Sequence, residues 1–379
     1  MADQLSQEEI LRYSRHLIIP EVGLAGQQKL KATSVLVVGT GGLGSPVALY
    51  LAAAGIGKIG LVDSDVVDVS NLQRQILHDT PHEGQLKVSS GRERLLALNP
   101  SVAVEAFSDC FNDQTAEKIA AGYDILVDCT DNFPTRYLIN DLCVKTQRPD
   151  VYGAIYRFEG QVSVFDARFG PCYRCVFPDP PPPELAPSCS DVGVFGVLPG
   201  VIGTLQATEV IKLALNIGQP LYGKILIYDA LSAAFQTIKI PKQASCKICG
   251  DDPELLHAES ELHFCADDNF ALSGDEMISV QELNQLLLGD NPPLLVDVRN
   301  SVEQQVSRIP GAVLIPLNEL GEKLPDADRD RAIVVFCRTG RRSARAVLKL
   351  KALGFKHVKN LTGGINSWVE KIDPTQYRY

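Results

Sequence analysis

Gly39-Thr40-Gly41-Gly42-Leu43-Gly44 constrains this chain more than any other stretch. It satisfies G-x-G-x-x-G and lies between Ser34-Val35-Leu36-Val37-Val38, an apolar run that predicts a buried strand, and residues 45–54, which predict a helix. Glycines there let a backbone approach phosphate oxygens, and the N-terminus of the following helix favours their negative charge. A second strand is expected over residues 58–63. It places Asp63 about 20 residues beyond the motif, where an acidic side chain can hold ribose hydroxyls. A further apolar strand ends at Asp128. Strand, helix and strand in alternation imply an α/β fold with a parallel sheet and right-handed crossovers. Taken alone, the motif suits a dinucleotide-dependent dehydrogenase as well as an ATP-using enzyme.

The residues after Asp63 favour ATP. Asp65, Asp68, Ser70, Asn71, Arg74 and Gln75 place polar and cationic groups just past the ribose position, Lys87 comes a little later, and Asp131-Asn132 follow the next strand. A nicotinamide ring wants an apolar slot, and this cluster offers little of one. A triphosphate, with about four negative charges, wants Arg, Lys and a carboxylate to hold Mg2+. Cations placed there also stabilise charge developing at an attacked phosphorus.

The stretch VLVVGTGGLGSPVALYLAAAGIGKIGLVDSDVVDVSNLQRQILH, with DCTDNFPTRYLIND and YRFEGQVSVF, resembles the ubiquitin-activating-enzyme superfamily. Within it the molybdopterin-synthase adenylyltransferase type, with its thiamine-pathway relatives, matches best. The resemblance runs over residues 5–250, and SNLxRQ is its sharpest signal. It implies a Rossmann-like ATP-binding domain. Beside the loop glycines Gly39, Gly41 and Gly44, it makes Gly42, Asp63, Ser70, Asn71, Arg74, Lys87 and Asn132 nucleotide contacts and Asp131 the Mg2+ ligand. Arg15, in YSRHL, resembles an arginine that reaches into a neighbouring subunit's site, which implies a homodimer. The implied reaction is attack of a partner's C-terminal glycine carboxylate on the α-phosphate of ATP, giving an acyl-adenylate and pyrophosphate.

The ten cysteines sort into several jobs. Cys172-Tyr-Arg-Cys175 and Cys246-Lys-Ile-Cys249 are two C-x-x-C pairs. Such pairs can complete a tetrahedral all-thiolate Zn2+ site, structural because no position stays open. A redox-active C-x-x-C is the alternative, but it normally comes singly. Cys189 follows the proline-rich Pro178–Pro187 stretch, which predicts an extended loop and an accessible thiol. The resemblance makes Cys189 the cysteine that forms a thioester or disulfide with an activated carrier. Cys110, Cys129 and Cys143 stand in apolar contexts and read as core residues. Cys265 gets no role.

Cys337 ends the apolar strand Ile333-Val334-Val335-Phe336 and opens Cys337-Arg338-Thr339-Gly340-Arg341-Arg342, which leads into a helix. Turn N–H groups, a helix N-terminus and guanidinium groups favour a thiolate there. With Leu294–Arg299 and Ile309–Ala312, this loop makes residues 275–379 resemble a small α/β rhodanese domain. Four residues separate Cys337 from Arg342. That resembles the short rhodanese loop, which fits a persulfide, rather than the longer loop of related phosphatases. Ser307-Arg308 stands where rhodaneses often carry Gly-His, which leaves the persulfide loop untouched.

The chain of 379 residues is expected to hold an adenylyltransferase domain over residues 1–250, an acidic linker over 251–274 and the rhodanese domain over 275–379. A net charge of −10 argues against direct nucleic-acid binding. With no apolar run near the ~20 residues a bilayer needs and a polar N-terminus, it reads as cytoplasmic, with no membrane partner. The expected function is adenylation of a small β-grasp sulfur-carrier protein ending in Gly-Gly. Cys337 then takes sulfur from a cysteine-desulfurase-type donor or thiosulfate, its persulfide attacks the acyl-adenylate, and Cys189 resolves the linkage to leave a thiocarboxylate. Molybdopterin, thiamine, cysteine and tRNA-thiolation pathways stay open. The rivals are a dehydrogenase, an activator of a ubiquitin-like conjugation pathway, which has no need of Cys337, and a binding scaffold, which would usually lack it.

Overall fold

Runs such as Val35-Leu36-Val37-Val38 have no polar face, so they are stable only as strands covered on both sides. The computed structural model describes residues 4–181, 193–253, 272–324 and 329–379, and the chain divides into two units, residues 1–266 and 267–379. In the first, β1 (Ser34–Val38), β2 (Lys58–Val62), β3 (Ala103–Phe107), β4 (Ile125–Asp128) and β5 (Asp150–Tyr156) lie parallel in the order β3-β2-β1-β4-β5. Alternate residues of β1 feed opposite cores. Val35 and Val37 meet Val47, Leu51 and Ile202 on one face, while Leu36 and Val38 meet Ile119, Ile139 and Leu142 on the other.

The expected parallel sheet is extended by three strands of alternating direction. β6 (Glu159–Phe165), β7 (Lys224–Asp229) and β8 (Ala234–Lys239) continue it beyond β5, each antiparallel to the strand before it. Only Arg157 and Phe158 join β5 to β6, with Arg157 left-handed at φ 52°. A link that short permits a hairpin and no crossover. The N-terminal helix is interrupted early. Ser6 and Glu9 form the capping box, but the helix stops at Arg12, and a short Ser14–Leu17 helix follows. Tyr13 is drawn inside at the break, where its hydroxyl accepts from Asn99 Nδ2 at 2.8 Å.

The chain leaves β1 for β2 and β3 on one side and returns to β4 on the other. The carboxyl ends of β1 and β4 therefore flank the crevice of a topological switch point, where doubly wound sheets bind ligands. Among the described residues, no helix is long and apolar enough to cross a membrane.

The second unit is a parallel sheet of β9 (Met277–Ile278), β10 (Leu294–Asp297), β11 (Val313–Leu314), β12 (Ile333–Phe336) and β13 (Val358–Leu361), ordered β11-β10-β12-β13-β9. Fully buried Arg299 ties together the segments beyond the carboxyl end of β10. It is bidentate to Asp297, through Nε at 2.9 Å and Nη2 at 2.7 Å, and it also donates to the Ser307 carbonyl and the Tyr379 hydroxyl. Removing Arg299 leaves the buried Asp297 charge uncompensated, so Arg299→Ala should destabilise this unit by about 3–5 kcal/mol. Trp368, the single tryptophan, lies in this unit's core, so its fluorescence during denaturation reads that loss. A midpoint equal to wild type would show that the network does not hold the unit.

Candidate functional site

Two of the loop glycines are demanded by the protein's own backbone. Gly39 has φ +92°, and a Cβ on it would lie 2.7 Å from the Cys129 carbonyl oxygen; one on Gly44 would lie 1.9 Å from the Gly39 carbonyl oxygen. Gly41 and Gly42 are less confined: their nearest neighbours would be Gln75 Nε2 at 3.4 Å and Pro199 at 3.2 Å. Between them and Gly39, Thr40 is clamped. Its N–H and Oγ1 donate to Asp63 Oδ2 at 2.9 and 3.0 Å, and its carbonyl accepts from His78 Nε2 at 3.0 Å. The N–H groups of Gly41, Gly42, Leu43 and Gly44 have no acceptor among the described residues. They open the Gly44–Ala54 helix, so this is a cradle for an anion.

Around the cradle the structure gathers the other candidates. Asp63 follows β2; besides Thr40 it accepts the Asp65 N–H. Ser70 donates its N–H and hydroxyl to Asp68 Oδ1, which shapes the Val69–Asn71 turn. Arg74 folds back on that turn, with Nη2 2.9 Å from Asn71 Oδ1 and its stem against Gly42. Lys87 is almost fully buried and pairs with Asp65 at 2.8 Å. Asp131, after β4, is exposed to solvent while its carboxyl is crowded by protein. Desolvation there raises its carboxyl above the usual range, Lys87 and Arg136 oppose the rise, and Asp65 adds to it. Asn132 caps the Phe133–Thr146 helix through Oδ1, which accepts from the Thr135 N–H at 2.9 Å. Arg15 is exposed on the Ser14–Leu17 helix, with no hydrogen bond or ion pair among the described residues.

Several supporting residues were invisible to sequence reasoning. Buried Arg136 pairs with buried Asp128 at 3.0 Å and donates to the Thr130 carbonyl, while Thr130 donates back to Asp128. That knot shapes the turn bearing Asp131. His78, the last residue of the quoted QILH, binds Thr40. A lone histidine after an apolar pair carries no signal of its partner.

The four cysteines of the C-x-x-C pairs converge, all buried, with their sulfurs within 4.8 Å of one another. The Cys172–Cys175, Cys172–Cys246 and Cys175–Cys249 sulfur separations are 4.0, 3.6 and 3.4 Å. A regular tetrahedron with metal–sulfur bonds of about 2.3 Å has edges of about 3.8 Å, so the set fits Zn2+. The Gln243 N–H also points at Cys175 Sγ, and Gly250 packs so close that a Cβ would lie 2.5 Å from the Cys246 carbonyl oxygen. Cys129 and Cys143 are buried, and burial pushes both thiols well above the ordinary value. Cys110 corrects the sequence reading: just beyond edge strand β3 it is half-buried and disulfide-bonded, not a core thiol. Cys189 and Cys265 lie outside the described residues.

In the second unit Cys337 sits at the carboxyl end of β12, 1% exposed, with its loop curled over the sulfur. The Gly340 N–H points at Sγ from 3.1 Å, and Ser343 Oγ lies 3.4 Å away. Gly340 needs φ +102° to close this turn, and its carbonyl is held by Asn360 Nδ2. Gly364 approaches from below, where a Cβ would lie 2.4 Å from the Cys337 carbonyl oxygen. Arg342 departs from the expected ring of cations: it is buried and bidentate to Glu303, at 2.7 Å through Nη1. Desolvation raises Glu303, but Arg342 and the Asn300 N–H outweigh it and hold the carboxyl below its ordinary value. Arg338 and Arg341 are the loop guanidiniums with no ion pair among the described residues.

The ThiF family model matches residues 13–248, and the rhodanese-like domain model matches residues 279–371. The chain is 43% identical to the probable adenylyltransferase/sulfurtransferase MoeZ of Mycobacterium tuberculosis, over 100% of this chain and 97% of that protein. It is 42% identical to the adenylyltransferase and sulfurtransferase MOCS3 of Sus scrofa, over 99% of this chain and 89% of that one. Among solved structures, E. coli MccB superposes with a TM-score of 0.56 at 24% identity, over 65% of this chain and 75% of its own, which is a likeness of fold alone. The chain belongs to the ThiF family, and behind that family's unit it carries a rhodanese-like domain.

Proposed function

We propose that this chain is an adenylyltransferase and sulfurtransferase acting on a small ubiquitin-like sulfur-carrier protein of the β-grasp kind ending in Gly-Gly. One observation carries the reading: a single chain pairs an N–H-lined anion cradle, beside Lys87 and Asp131, with a cysteine loop curled tightly over one sulfur. The adenylating unit spans residues 1–250, a linker 251–274 and the sulfur-carrying unit 275–379. In the first, the cradle and the Arg74 and Lys87 cations take the phosphates of ATP, Asp63 takes the ribose, and Ser70, Asn71 and Asn132 complete the nucleotide's surroundings. Asp131 would hold Mg2+, which supplies neutralisation of the phosphate oxygens. The carrier's C-terminal carboxylate oxygen bonds to the α-phosphorus as the bond to pyrophosphate breaks.

In the second unit the Gly340 N–H meets Cys337 Sγ, and Arg338 and Arg341 of the same loop are at hand for an anionic sulfur donor. Sulfur from a cysteine-desulfurase-type donor or thiosulfate makes Cys337 a persulfide. Its terminal sulfur attacks the acyl-adenylate carbonyl and AMP leaves. Cys189 then takes the Cys337 sulfur and releases the thiocarboxylate, destined for molybdopterin or a related sulfur-containing cofactor. A homodimer through the N-terminal helices suits exposed Arg15, whose neighbours Leu11 and Ile18 are 78% and 71% exposed. Zn2+ at the four-cysteine cluster would be structural, and a cytoplasmic setting is part of this reading.

Asp131→Ala should lower carrier-dependent ATP–pyrophosphate exchange by about 100-fold or more, and exchange at the wild-type rate would overturn the assignment. Cys337→Ala should keep that exchange while mass spectrometry of the carrier finds no oxygen replaced by sulfur; equal loss of both activities would break the division of labour. Metal analysis should find one Zn2+ per chain, and Cys246→Ala should lose the metal together with stability of the first unit. Metal content far below stoichiometric in fresh wild-type protein would remove zinc from the account.

A further inference from the structure

His78 is 6% exposed, and both its ring nitrogens are engaged. Nε2 lies 3.0 Å from the Thr40 carbonyl oxygen and Nδ1 lies 3.1 Å from Ser90 Oγ. A carbonyl oxygen only accepts, so Nε2 carries a proton, and Nδ1 of the neutral ring accepts from the Ser90 hydroxyl. Desolvation lowers the ring's pKa below the ordinary histidine value, which keeps it neutral.

The consequence follows from peptide planarity. In a trans peptide the C=O of one residue and the N–H of the next point in opposite directions. Anchoring the Thr40 carbonyl on His78 therefore turns the Gly41 N–H away from the ring. That N–H is the first of the four cradle donors that have no acceptor among the described residues. Glycines flank Thr40 on both sides, so the backbone here is free to reverse this peptide unless something holds it. Reversed, it would present a partly negative oxygen to the anion instead of a donor.

We propose that His78 is a positioning residue of the nucleotide site: fixed as the Nε2–H tautomer by Ser90, it locks the Thr40–Gly41 peptide so that the Gly41 N–H faces the phosphates. The inference rests on the reading of the glycine loop as an ATP site. His78 touches no substrate and acts through the loop.

The full-length, zinc-loaded protein is titrated with Mg-ATP and with adenosine, for wild type, His78→Phe, His78→Gln and Ser90→Ala, with melting temperatures alongside. His78→Phe should weaken ATP binding about ten-fold or more while adenosine binding stays within about two-fold, because the lost donor faces phosphate only. His78→Gln, whose amide can donate to the Thr40 carbonyl, should recover most of the ATP affinity, and Ser90→Ala should fall between. Equal weakening of ATP and adenosine, or none in a folded His78→Phe, overturns the proposal, as does a glutamine variant no better than phenylalanine. If phenylalanine is not tolerated, the glutamine and Ser90→Ala variants decide by the same ATP-to-adenosine ratio. Wild-type protein that binds NADH and ignores ATP would instead sink the ATP reading itself, and this inference with it.

Discussion

The turn after β1 and the turn after β4 approach so closely that no side chain fits between them. Gly39 faces the Cys129 carbonyl at a distance that excludes even a Cβ, and the Cys129 N–H is itself bonded to the Val38 carbonyl. Much of the first unit's site depends on this contact. It sets the anion cradle of one turn beside the acid of the other, so charge-handling groups far apart in sequence share one crevice. Each turn is then stiffened from outside: the first by Asp63 and His78 on Thr40, the second by the buried Asp128–Arg136 pair. A buried ion pair adds little net stability, yet losing one partner is costly. This pair is better understood as holding the shape of a turn than as strengthening the fold.

Sulfur appears in two chemical settings, and the difference lies in what surrounds it. At the four-cysteine cluster each thiol is buried against others at tetrahedral spacing, and a divalent cation is the natural counter-charge. At Cys337 the sulfur stands alone at a strand end, met by one backbone donor and one hydroxyl. The first arrangement joins distant parts of the chain. The second leaves a sulfur able to change its bonding.

Much of this was legible in order of sequence. The strand–glycine–helix motif, the two C-x-x-C pairs and the strand-end Cys337 loop each have a local cause: a backbone that must come close, a ligand spacing, a turn that must close over sulfur. The antiparallel half of the sheet was not read, because a two-residue link at Arg157-Phe158 carries little turn chemistry by composition. The break in the N-terminal helix at Tyr13 has no local signal, because its cause, an aromatic ring pulled toward Asn99, is 86 residues away. Cys110 was taken for a core residue on its apolar neighbours, although it lies past an edge strand where it is only partly buried.

The amino-acid order by itself determined the two kinds of unit, the glycine loop, the cysteine quartet and the strand-end Cys337 loop, because those features arise from spacing along the backbone. Which charges remain available was decided only by tertiary structure. Arg342, counted among the loop's cations, is paired with Glu303, and Lys87 with Asp65, while Thr40 is gripped by an aspartate and a histidine on separate segments. Hydrogen bonds and ion pairs are chosen among whatever groups folding brings within about 3 Å, and sequence distance says nothing about that choice.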